Sequence, residues 1–207
     1  MIYHARNKQL LSDWTCLART GNRADAISAA GYPRSVRPAK TSMVVINCTK
    51  KLFRRLKVQD SSEIYSSTNL LGAWCANVFN IGRYPFIIFT NEKTLLSILF
   101  PLKEFKRISD LFNSSLSRQL RELKIPENSI LAETKQTSEI VLSTNTNRST
   151  LGSMNDLVFQ IEVIIYDQQS FTVTELERQL RKIPFSSINF SNPGEAVIDV
   201  FTNASPA

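Results

Sequence analysis

Between residues 70 and 100 the chain places three apolar runs almost end to end, divided only by Gly82-Arg83 and by Asn91-Glu92-Lys93. Runs this close have room for turns but not for helical crossovers, so they predict an antiparallel meander. The first run, residues 70–81 (LLGAWCANVFNI), is apolar on both faces. Leu71, Ala73, Cys75, Asn77, Phe79 and Ile81 alternate with Leu70, Gly72, Trp74, Ala76, Val78 and Asn80. Such a strand belongs at the centre of a sheet, covered by other elements. Residues 84–90 (YPFIIFT) and 95–100 supply the next two strands.

The flanking sequence extends this frame. Residues 43–48 are rich in Val and Ile and read as a strand. Leu52, Phe53 and Leu56 then give a short helix an apolar face among Lys50, Lys51, Arg54, Arg55 and Lys57. A polar, Ser-rich connector spans 60–69. Phe105, Ile108, Leu111, Phe112, Leu116, Leu120 and Leu123 recur at helical spacing up to Pro126. A short strand is expected at 140–142 and a second long helix over 149–167, with Leu151, Met154, Leu157, Val158, Ile161, Ile164 and Ile165 on one face. A third helix opens at the capping box Thr172-x-x-Glu175, carries Leu176, Leu180 and Ile183, and stops at Pro184. Residues 196–201 read as a last short strand. Together these predict one α+β domain over 43–190: a mostly antiparallel sheet, a meander of about four strands, with helices packed on one face. Residues 191–207 would be a short strand and a frayed end.

Residues 1–42 show no sustained period. They hold seven basic and two acidic residues, against 18 basic and 16 acidic in the remainder, so most of the chain's +7 belongs to them. A net of +2 over the rest is ordinary for a soluble domain. The stretch is expected to be either a disordered basic arm or sequence upstream of a true start at Met43. A transit peptide fits less well, for want of a clear amphipathic helix. Apolar runs such as 161–166, broken by Glu162, fall short of a bilayer span. Cys16, Cys48 and Cys75 share no CxxC spacing and leave an odd count, which points to a reducing, cytoplasmic compartment.

The chemistry open to the domain is narrow. The sole histidine, His4, lies outside it, so it holds neither a Ser-His-Asp nor a Cys-His pair, nor a zinc site built on imidazole. Cys48 and Cys75 read as small buried hydrophobes. There is no P-loop and no G-x-G-x-x-G. No catalytic residue, metal site or cofactor is assigned. Carboxylate-only hydrolase or transferase chemistry is the remaining enzymatic option, although the acidic residues show no suggestive clustering.

Binding is the better-supported class. Asn147, Arg148 and Ser149 stand at the start of an apolar helix, where unpaired N–H groups would suit a phosphate or carboxylate. The structural alternative makes Ser149 or Thr150 the N-cap, lets Gly152 bring helices close, and turns Asn155 and Asp156 to solvent or a neighbouring loop. Asn77, polar on a covered strand, is either a ligand contact or a bond to a loop. Asn91 and Lys93, with Glu92 between them, form hairpin chemistry that could share the interaction surface. Trp74 reads as core rather than as a stacking platform. Lys103, Lys106, Arg107, Arg118, Arg121 and Lys124 make the first long helix basic and give nucleic-acid binding as the alternative. Glu104, Asp110 and Glu122 interrupt that stripe.

Four segments in order resemble a known family: Cys48-Thr49-Lys50-Lys51-Leu52, Leu71-Gly72-Ala73-Trp74-Cys75-Ala76-Asn77, residues 89–95 (FTNEKTL), and residues 147–156 (NRSTLGSMND). They are similar to a bacterial domain-of-unknown-function family, numbered 6933, also met in plasmid-encoded proteins. The resemblance covers about residues 43–185 and implies no activity, cofactor or catalytic residue. It also implies a domain starting at the strand before CTKKL, and relatives with an acidic or polar residue where Ala73 stands. The expectation is a small cytoplasmic binding or regulatory module, with an unknown protein or a small anionic ligand as partner.

Overall fold

Both apolar faces of the central run are used. The computed structural model describes residues 2–4, 43–57, 67–137, 140–144, 147–168 and 170–204. Strand β1 (Ile2–His4) is followed by β2 (Val44–Cys48), α1 (Lys50–Leu56), β3 (Trp74–Ile81), β4 (Tyr84–Asn91) and β5 (Ser97–Pro101). A 3-10 turn (Leu102–Arg107) leads into α2 (Ile108–Glu122) and α3 (Glu127–Gln136). Then come β6 (Ile140–Thr144), α4 (Arg148–Asp167), β7 (Ser170–Thr172), α5 (Val173–Leu180), a 3-10 turn (Ser186–Ile188) and α6 (Pro193–Ala204).

Five strands form one sheet in the order β5-β4-β3-β2-β6. The predicted meander is present as β3-β4-β5, antiparallel throughout, with Trp74 opposite Asn91 and Thr90 opposite Ser97. The sheet as a whole is mixed, which corrects the mostly antiparallel expectation. Strand β2 pairs parallel with β3 on one side and with β6 on the other. The connections through α1 and through α2–α3 are long enough for such crossovers.

Helices on one face is the second correction. Trp74, Ala76, Val78, Ile87 and Phe89 pack with residues of α1, α2, α3 and α6. Cys75, Phe79, Phe86, Ile88 and Leu99 pack with Met154, Leu157 and Ile161 of α4 and with Leu176 and Leu180 of α5. The molecule is therefore α+β in content and three-layered in section. Trp74 is core, meeting Phe112 edge-on at 4.9 Å between ring centroids, a contact that adds about 1 kcal/mol beyond its area.

Two helices depart from expectation. Residues 196–201 lie within α6, not in a strand: Val197 and Phe201, four apart, are buried, and Asn192 Oδ1 accepts from Glu195 N ahead of the turn that Pro193 opens. Helix α3, with Ile130 and Glu133 as its buried residues, was not anticipated at all. The outer edge of β5 is closed by side chains. Leu99 N donates to Glu177 Oε1 at 2.8 Å, and Gln119 Nε2 donates to Ser97 O at 2.9 Å. These bonds occupy groups that an open edge would offer to another chain.

Strand β1 pairs antiparallel with β7, Ile2 opposite Thr172 and His4 opposite Ser170. Apart from it, the expectation for residues 1–42 lies outside the described residues, as does that for most of the 60–69 connector. Among the described residues no helix is long and apolar enough to cross a membrane.

Candidate functional site

Strands β2 and β6 are parallel neighbours, yet the helices that follow them leave to opposite faces. Helix α1 goes to the Trp74 face and α4 to the Cys75 face. In open sheets this divergence at the carboxyl ends of parallel strands leaves a crevice where ligands bind. Thr49 and Asn147 are the N-caps of the two diverging helices. Thr49 Oγ1 accepts from Leu52 N, capping α1, and donates to Asn77 Oδ1 at 2.9 Å. Asn147 Oδ1 accepts from Thr150 N at 3.1 Å, so Asn147 is the N-cap of α4 in place of the expected Ser149 or Thr150.

Beneath the entrance of α4 lies a carboxylate held by three donors. Glu92 Oε1 accepts from Asn47 Nδ2 at 2.7 Å and from Cys75 Sγ at 3.1 Å; its Oε2 accepts from Asn147 Nδ2 at 3.4 Å. The contact ties the 91–93 hairpin directly to the helix entrance. Burial, and then the hydrogen bond and charge of Glu92, push the Cys75 thiol far above its ordinary range. It therefore stays protonated and donates, which is the opposite of what a cysteine nucleophile needs.

The hairpin is built around Asn91. Its Oδ1 accepts from Lys93 N, Thr94 N and Thr94 Oγ1, and its Nδ2 donates to Leu71 O and Ala73 O. Lys93 Nζ reaches Leu70 O at 3.0 Å. Gly72 is required here: its φ is +77°, and an added Cβ would stand 3.0 Å from Lys93 Cε. Asn91 is wholly buried and acts as the frame of the loop, and Lys93 is its exposed brace. Asn77 takes the structural role, bonding Thr49 and Val78 N.

Of the other candidates, Arg148 and Ser149 are exposed in the first turn of α4, beside the crevice. Asn155 and Asp156 are exposed about two turns further along, outside the Glu92 cluster. Gly152 does not serve close packing, since nothing lies within 4 Å of an added Cβ. Three of the six basic residues of the 103–124 segment are in ion pairs among the described residues. Arg118 meets Glu122 and Glu177, Arg121 meets Glu127 at 2.6 Å, and Arg107 stands 4.0 Å from Glu104. Lys103, Lys106 and Lys124 are exposed but do not extend those arginines into an unbroken stripe. Sequence reasoning treated Glu92 as turn chemistry and passed over Asn47. A polar residue inside VVINC was the available signal, of the same kind as Asn77.

Among the described residues no three side chains converge as metal ligands. Four carboxylates that are wholly or partly buried fall into separate settings: Glu92 near the start of α4, Glu133 under the 69–72 loop, and Glu122 with Glu177 where α2 meets α5. A family model described as Domain of unknown function (DUF6933) matches residues 45–196. The search of curated proteins finds no match.

Proposed function

The chain belongs to this family, DUF6933, and on that premise we propose that it is a binding module with no chemistry of its own. Its site is the mouth between β2 and β6, and it takes a small anionic group, a phosphate or carboxylate. The divergence of α1 and α4 from adjacent parallel strands carries this reading. That divergence leaves the first turn of a 20-residue helix open beside the strand ends, with Arg148 and Ser149 exposed on it. Backbone N–H groups of that turn, the positive helix end and the Arg148 guanidinium all favour negative charge.

Glu92 sets the depth of the site. A group pushed below Asn147 meets a like charge, so the anion belongs on the outer, Arg148 side. Two buried thiols, Cys48 and Cys75, suit a reducing, cytoplasmic setting. Nucleic-acid binding through α2 is less favoured, because Arg118 and Arg121 are held by carboxylates.

The test is an amide-resolved NMR titration with inorganic phosphate and with acetate. Saturable shifts should centre on residues 147–150, and Arg148→Ala should weaken binding several-fold while unfolding stability stays within about 0.5 kcal/mol. Unchanged affinity in Arg148→Ala, or equal loss of affinity and stability, would reject the site.

A further inference from the structure

A second pocket, on the Trp74 side of the sheet, has a different chemistry. A cavity of about 150 Å³ opens between α3, α6 and the loop preceding β3. Leu70, Ala132, Phe201 and Ala204 form its apolar walls, and Ser129, Glu133 and Gln136 its polar ones. The α3 residues follow helical spacing, so one face of that helix lines the space.

The polar groups here are rich in acceptors. Glu133 is 2 % exposed. Its Oε1 already accepts from Asn69 Nδ2 and Leu71 N, whereas its Oε2 accepts, among the described residues, from Leu70 N alone, at 3.0 Å. Asn69 Oδ1 and Gln136 Oε1 are buried and find no donor among the described residues. The Asn69 amide cannot be turned round to cure this, because its nitrogen is held by the carboxylate at 2.6 Å. A buried acceptor without a donor is costly, and two beside one carboxylate call for a donor-rich group.

The helices add to the same demand. Glu133 and Gln136 lie in the last turn of α3, and Phe201 and Ala204 in the last turn of α6. Both helices thus turn their negative ends toward the cavity. Lys93, the cation acting on Glu133, has its ammonium on Leu70 O.

We propose that this cavity binds a primary ammonium group carried on a short aliphatic chain, that is, a small free alkylamine. The ammonium supplies donors and one positive charge to Glu133 and Gln136, while the chain lies along Leu70, Ala132 and Phe201. The volume suits about five heavy atoms, taking about 30 Å³ for each water-sized group. A divalent metal fits poorly, since it requires about six oxygen ligands and the walls are half apolar.

The experiment titrates the full chain with n-butylammonium chloride, following amide shifts. Controls are tetramethylammonium chloride, which has the charge but no N–H, and 1-butanol, which has the chain but no charge. Saturable shifts at residues 69–71, 129–137 and 201–204 are expected for the primary amine alone. Gln136→Leu should weaken binding about tenfold, the loss of one charge-assisted hydrogen bond, and Ala204→Phe should abolish it by filling the space. Gln136 is chosen over Glu133 because Glu133 also anchors the 69–71 backbone and its loss would disturb folding. Equal response to either control, shifts that never saturate (a cavity holding water only), or unchanged affinity in Gln136→Leu would each overturn the proposal.

Discussion

Glu177 offers a quantitative test of how this protein handles buried charge. Its carboxyl is fully enclosed, accepts from Leu99 N at 2.8 Å, and meets the Arg118 guanidinium. Burial pushes it up to about 7 from an ordinary 4.5, against the opposing pull of Arg118, the Leu99 amide and Arg181. A carboxyl raised in the folded state favours folding in its protonated form. Its contribution is complete below about 4.5 and is lost as pH rises through about 7. At about 1.36 kcal/mol per pH unit, this carboxyl should lower wild-type stability by roughly 2.5 kcal/mol between pH 5 and 8, most of it below pH 7. Glu177→Gln keeps an acceptor for Leu99 N but cannot titrate, so its profile should lack that fall; Glu133, also raised by burial, is common to both proteins and cancels in the difference. Glu122 does not blur the comparison, because hydrogen bonding from Arg178 and Arg181 holds it at about 2. His4 is common to both proteins and cancels. Urea unfolding at pH 5, 6, 7 and 8, followed by tryptophan fluorescence, measures the difference. Parallel pH profiles for the two proteins would show that Arg118 outweighs burial and keeps Glu177 ionised throughout, refuting the reasoning.

Three further outcomes follow from the hairpin and helix entrance. Asn91→Ala strips the acceptor from Lys93 N and Thr94 N and should cost about 2–3 kcal/mol in chemical unfolding; a cost under about 0.5 kcal/mol would remove Asn91 as the frame of that loop. Asn147→Ala should cost about 1 kcal/mol through loss of the α4 cap, whereas Asn147→Ser should recover most of it because a serine hydroxyl still accepts from the helix. Glu92→Gln removes a charge that helps hold the Cys75 thiol up, so iodoacetamide labelling of Cys75, read by mass spectrometry, should quicken. It should remain slow in absolute terms because burial is the larger cause; labelling no faster than wild type would show that Glu92 does not act on the thiol.

The central position of β3 is legible because two-sided burial demands apolar residues on both faces, and the 70–81 run meets that demand. The capping box at Thr172 is equally legible: Thr172 Oγ1 accepts from Glu175 N, as the spacing requires. What could not be read is which face each helix takes, since helical periodicity records that a side is buried but not against what. Helix α3 escaped notice for a related reason. Its inner face is completed by Glu133, a carboxylate whose burial depends on Asn69 and on Leu70 and Leu71, some 60 residues earlier. Residues 196–201 misled because Val197, Ile198, Val200 and Phe201 are β-branched or aromatic types that strands favour, although their spacing fits a helix. The start signal at Asn192-Pro193 decides between them.

The candidate site depends on the same long-range pairing. Nothing in VVINC or in IVLST states that the two lie side by side and parallel, yet that arrangement is what sets the starts of α1 and α4 at adjacent strand ends. Local chemistry singled out Asn147, Arg148 and Ser149, which stand at the start of α4, and missed the group that joins them to the hairpin. Glu92 looked like a turn residue because its two neighbours are turn residues; the parallel register that sets Asn47 opposite Cys75 is what gives its carboxylate adjacent donors. Ala73 fits this view. It contributes its carbonyl, accepting from Glu92 N and Asn91 Nδ2, so a polar side chain there in relatives would add a group next to Glu92 without being needed for the loop itself. On the binding role proposed above, variation at that position should alter what is recognised more than whether the domain folds.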